Sequence, residues 1–180
     1  MTAKKLDNPF KALVKRINDG DKTVLDDPAL STAKDNFGNT PLHHAVEEWE
    51  EALEHPDVAK VKNLDGDTPL HMAVEYHRKA LQHPALSTVQ NDEKETPLHH
   101  ATQYWEDALV HPDVATPQDS RGDTPLHWAA AEWTSAFDHP AKSHPDFKTR
   151  KNLWGDTPEQ VWGKDERAED ESDDDDIYED

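Results

Sequence analysis

At 180 residues the chain is long enough for one domain, but with 33% apolar residues and a mean hydropathy of −1.04 it is too polar for one large central core. The formal charge of −20 opposes direct binding to nucleic acid or an anionic membrane, since both need a basic surface, and it favours a basic partner. Cysteine is absent, which excludes a disulfide framework, thiolate chemistry and cysteine-ligated metals.

In chain order, residues 1–39 are expected to form a capping unit. The stretch up to Gly20 lacks the apolar run of a secretory leader, and nothing later approaches the roughly 18 apolar residues of a membrane span, so a cytoplasmic location is expected. Asn8 can cap a helix opened by Pro9, with Phe10, Leu13, Val14 and Ile17 on one face. Asn18-Asp19-Gly20-Asp21 closes that helix, and a second short one follows over residues 22–26; Lys4, Lys5, Lys11 and Lys15 supply a polar outer face.

A repeat then begins. Thr40-Pro41-Leu42-His43-His44-Ala45 returns at Thr68, Thr96 and Thr124, each time 28 residues on, and a degraded copy starts at Thr157. Threonine suits an N-cap and proline the first helical position, so each copy predicts a helix start. Just upstream lie turn residues with Gly38, Gly66, Gly122 and Gly155 where a positive φ is expected. The third turn has Lys94 there instead, which predicts strain of about 1 kcal/mol. A second phrase, such as His55-Pro56-Asp57-Val58 or His83-Pro84-Ala85-Leu86, ends each unit, because proline disfavours helix in the residue before it. Its fourth residue should be buried beneath the next helix: Leu30, Val58, Leu86, Val114 and Phe147.

At these residues the chain is similar to the ankyrin repeat family, whose signature is a glycine-containing turn followed by TPLHxA. The resemblance implies an all-α fold: an ankyrin-like repeat solenoid with four shortened full repeats over residues 40–156, and caps at 1–39 and 157–164. It further implies that turns project from one edge, that the surface binds other proteins, and that His43, His71, His99 and His127 are structural, bonding to backbone in their own and adjacent repeats.

The family's usual period of about 33 residues exceeds the interval here by five. The loss falls between the two helices of each repeat. Leu42, Ala45, Val46, Trp49, Ala52 and Leu53 keep one helical phase, as do Leu98 through Leu109 and Leu126 through Phe137. This favours one continuous helix of roughly four turns per repeat; the alternative is a compressed helix pair with a break near Glu47 and Glu48. Trp49, Trp105 and Trp133, with His77 at the equivalent place, share the apolar phase and are expected in the core.

For chemistry, the twelve histidines invite a metal reading. Equivalent side chains in stacked helices sit about 8 to 10 Å apart, too far to share an ion whose ligands lie roughly 2 Å from it. No nucleophile triad, phosphate-binding glycine loop or HExxH run occurs, so neither catalysis nor a cofactor is expected. The position after each TPLH histidine and the residue four later form a stripe: His44 and Glu48, Met72 and Tyr76, His100 and Tyr104, Trp128 and Glu132. By resemblance this variable position belongs to the binding face, and aromatics beside carboxylates suit a protein interface; the alternative is partial burial between repeats. Residues 157–180 carry twelve carboxylates against two basic side chains, and 165–180 are expected to be a disordered acidic tail. The expected function is a non-enzymatic adaptor or inhibitor that binds a basic, partly apolar protein. The alternative is an acidic mimic of nucleic acid that blocks a nuclease or DNA-binding protein through the tail.

Overall fold

A short apolar stripe between a Thr-Pro start and a His-Pro stop leaves each unit able to cover only its neighbours, and the chain folds accordingly. The computed structural model describes residues 8–132 and 140–162. Among these the structure is all-helical, without a strand. Helix α1 spans Pro9–Asn18, α2 Pro41–Glu48, α3 Pro69–Tyr76, α4 Pro97–Tyr104 and α5 Pro125–Glu132. Each packs chiefly on the next in chain order. Asn8 caps α1 by accepting from Phe10 N–H, and Phe10, Leu13 and Ile17 are buried on its inner face. The second short element is a 3-10 turn over Lys22–Asp26. The expected acidic tail, Lys4, Lys5, and the positions Trp133, Ala136 and Phe137 lie outside the described residues; of the C-terminal cap, helix is seen over residues 158–162.

The continuous helix favoured by the apolar phase is corrected by the structure. Helix α2 stops at Glu48; Trp49 is extended, with φ −137° and ψ 123°, and a separate 3-10 turn runs over Glu50–Glu54. The same break falls at His77 before Arg78–Gln82 and at Trp105 before Glu106–Val110. The bend gives the large side chain a second use. Trp105 Nε1 donates to Val74 O, a carbonyl in the last turn of α3 with no partner in its own helix. Beyond the break Ala108 and Leu109 are buried, as are Ala52 and Leu53. His77, in the same place, has an Nε2 that finds no hydrogen-bond partner among the described residues.

The His-Pro phrases end the units as expected, and Leu30, Val58, Leu86, Val114 and Phe147 are all buried. The first four also anchor the next helix through their backbone: Leu42 N donates to Leu30 O, Leu70 N to Val58 O, Leu98 N to Leu86 O and Leu126 N to Val114 O, at 2.9–3.0 Å. The proline that stops one helix therefore places the carbonyl that receives the next. The histidine before it caps the turn, since Nδ1 of His55, His83, His111 and His144 accepts the N–H two residues on, at 3.1–3.2 Å.

Candidate protein-binding face

Four identical frames hold the face in place. Thr40 N–H donates to His43 Nδ1 at 3.0 Å, with the Thr40 hydroxyl 2.9 Å from the same nitrogen. An imidazole nitrogen that accepts is unprotonated, so Nε2 carries the proton and donates to Asp67 O, in the turn of the following unit, at 3.2 Å. His71 makes the same bonds to Thr68 and Glu95, His99 to Thr96 and Asp123, and His127 to Thr124 and Asp156. Burial pushes all four imidazoles below the ordinary value, His71 to about 3 and His99 to about 4. Both ring nitrogens being engaged in this way, these histidines are unsuited to hold a metal, and no cluster of three or more ligating side chains occurs among the described residues.

The turns stack through their backbones. In each, an Asn or Asp side chain accepts two N–H groups, as Asn63 Oδ1 does from Asp65 and Asp67. Leu64 N donates to Phe37 O, Asp92 N to Asp65 O, Ser120 N to Glu93 O and Leu153 N to Arg121 O. Gly66 has φ +80°, and a Cβ there would meet Asp92 N at 2.6 Å, so glycine is required both by conformation and by the approach of the next turn. Lys94 adopts φ 62° without that excuse, and it is exposed. Lys94→Gly is expected to stabilise the protein by about 1 kcal/mol, read as a raised urea midpoint; a lowered midpoint would contradict it.

The eight-residue stripe divides into two files. His44, Met72, His100 and Trp128 are half-buried, whereas Glu48, Tyr76, Tyr104 and Glu132 are exposed. The inner file packs against the preceding unit: His44 lies edge-on to Phe10 at 5.6 Å, His100 to His71 at 5.8 Å, and Trp128 to His99 at 5.6 Å. Two of its members also repair a change of charge in the turns. Where Asn63, Asn91 and Asn152 each donate a side-chain amide to the turn before, the fourth turn has Asp119, which cannot donate. Its buried carboxylate takes Trp128 Nε1 at 3.1 Å and Arg121 Nη2 at 3.2 Å. The facing Glu95 receives Asn91 Nδ2, and His100 Nε2 lies 3.3 Å from its carboxylate; the nearness of His100 is the main cause holding that carboxyl down at about 2.

The outer file is a different surface. Tyr76 and Tyr104 are 49% and 44% exposed. Partial burial, then Glu75, Glu47 and Glu48, push the Tyr76 phenol up, and partial burial, then Glu75 and Glu132, do the same for Tyr104. Burial, with Glu48 and Glu75 beside it, also raises Glu47. None of these four carboxylates is in an ion pair among the described residues. On the 3-10 side most of the acids are answered, since Lys22 pairs with Glu51, Lys79 with Glu50 and Glu54, and Arg78 with Asp107. Negative potential therefore collects on the helix face, around two exposed phenols. The turn tips add apolar surface that the stripe did not include, with Phe37 and Leu64 each 70% exposed at one end and Leu153 and Trp154 exposed at the other. Their signal in the sequence was an apolar residue inside a turn otherwise made of Asn, Asp and Gly.

No helix among the described residues is long and apolar enough to cross a membrane. Compared with models of known protein families and with curated proteins, the chain matches none.

Proposed function

We propose that the chain is an ankyrin-like solenoid of shortened repeats that acts as a non-enzymatic protein-binding module, an adaptor or inhibitor, for a basic and partly apolar protein surface. The observation that carries this is the outer file: Glu47, Glu48, Glu75 and Glu132 lie around exposed Tyr76 and Tyr104 with no basic side chain paired to them among the described residues. A partner's lysines and arginines would supply the missing charge, and the phenol rings would supply the desolvated anchors. The inner file is given a positioning part, since Trp128 bonds the fourth turn and His100 lies against the third. Phe37 and Leu64 at the turn tips extend the surface.

The test uses a fluorescent peptide of alternating arginine and leucine and a chain truncated after residue 164, so that the tail's charge does not bind the probe. Glu48→Lys with Glu75→Lys is expected to weaken binding at least about tenfold, the loss of about 1.4 kcal/mol; equal binding would remove the helix face from consideration. The mimic of nucleic acid that acts through residues 165–180 is the other reading. It predicts that the truncation alone abolishes capture while these two substitutions leave it intact.

A further inference from the structure

At the end of the helix face nearest the C-terminus, a cavity of about 310 Å³ opens between α4, α5 and the fourth turn. Gln103, Trp128, Glu132, Arg121, Asp123 and Val161 are on its walls. We infer that this cavity holds the guanidinium of one arginine side chain of the partner, as the anchor of the docking surface. The inference rests on the reading of that face as a site for a basic protein, and it adds which residue enters and where.

Charge decides the kind of ligand. Arg121 is the only cationic side chain among the described walls, and its charge is already answered: Nη2 and Nε donate to Asp119 Oδ2 at 3.2 and 3.4 Å, and Nε lies 3.7 Å from Asp123. Asp119 in turn is only 1% exposed in its side chain, so the half-exposed Arg121 is tied to an acid buried in the wall. His127 is held neutral by burial and by its two internal bonds. What remains for a ligand is the Glu132 carboxylate, the Gln103 amide and the indole of Trp128, a set that repels an anion and attracts a cation.

Shape decides which cation. An ammonium is a compact, strongly hydrated point charge, whereas a guanidinium is planar and weakly hydrated, stacks on an aromatic ring and donates in two directions at once. Trp128 already accommodates one guanidinium, with Arg121 5.7 Å from its ring centroid. An incoming arginine would lie against the indole, with N–H groups divided between Glu132 and the Gln103 carbonyl oxygen, and its methylenes against Val161. Glu132 also contributes to the potential at Tyr104, so the cavity continues the acidic file.

The experiment follows backbone, Gln103 amide and Trp128 indole N–H resonances of the labelled full chain during titration with N-acetyl-arginine methylamide, and separately with its lysine counterpart. The arginine compound is expected to shift the Gln103 and Trp128 side-chain signals at least about fivefold more tightly than the lysine compound, a ratio that Glu132→Gln lowers. Equal response to both compounds, or shifts confined to residues elsewhere, overturns the inference. In the peptide assay, Glu132→Gln with Gln103→Ala tells the two readings apart. Undiminished binding by that pair, where Glu48→Lys with Glu75→Lys loses it, refutes the anchor and keeps the face. An arginine signal in the cavity with peptide binding insensitive to the Glu48 and Glu75 changes refutes the face and keeps the cavity.

Discussion

Acidification from about pH 7.5 to about pH 5 is expected to remove about 4 kcal/mol of folding stability through His71 and His99 alone. Their folded values, about 3 and about 4, lie below the ordinary 6.5 that the unfolded chain regains. As the pH falls through 6.5 the unfolded state takes up protons that the folded state refuses, so the equilibrium moves toward unfolding. The contribution is complete above that value and is spent once the folded value is reached, and at about pH 5 each histidine has lost about 2 kcal/mol. His43, His127, His55 and His83 are shifted in the same direction by burial and add to the loss. Two effects oppose it. Neutralising part of the −20 charge relieves self-repulsion, and Glu47, raised by burial beside Glu48 and Glu75, is eased by protonation. Glu95 adds little, since the bulk of its own loss falls between 4.5 and its folded value of about 2. Against a total of about 5–15 kcal/mol for a natural domain, the histidines win. Urea titrations by tryptophan fluorescence at the two pH values read the effect, and coincident midpoints would refute it.

His71→Ala is expected to cost about 3 kcal/mol, the sum of a small cavity and buried polar groups left unpaired. The side chain is 4% exposed and joins two units: it receives Thr68 N–H and donates to Glu95 O. The protein contains its own partial replacement. In the degraded copy, Gln160 Oε1 accepts Thr157 N–H at 2.9 Å, so glutamine restores the cap, with no bond to a following turn among the described residues. His71→Gln should therefore cost about half as much, and, having no proton to exchange, it should also remove its share of the acid sensitivity. Because α3 packs on both α2 and α4, the alanine variant should broaden unfolding by dividing the stack in its middle. A loss below about 1 kcal/mol, or glutamine no better than alanine, would contradict this account.

The Thr-Pro starts, the glycine turns, the His-Pro stops and the five buried residues after them were legible because each depends on a few neighbouring residues. The break at Trp49, His77 and Trp105 was not. Leu42, Ala45, Val46, Trp49, Ala52 and Leu53 face the core whether the backbone runs straight or bends, so periodicity cannot separate the two. The bend is tied to tertiary bonds such as that of Trp105 to Val74 O. The division of the stripe was hidden for a similar reason. Helical spacing gives the angle of His100 and Trp128, while the depth at which they sit depends on the adjacent helix and on the Asp119 turn.

The recurring backbone links carry a consequence for how such a chain changes length. Residues 28 apart meet the same donors and acceptors, so excising one whole unit would rejoin matching surfaces, and copy number could drift without retuning of the interior. The seam between the third and fourth turns is the exception. Cutting out residues 68–95 would remove Asn91 and Glu95 and bring Asp67 up to the Asp119 turn, leaving Asp67 without the amide it receives from Asn91 and facing a residue that cannot donate. Insertions and losses are therefore better tolerated before that seam than across it.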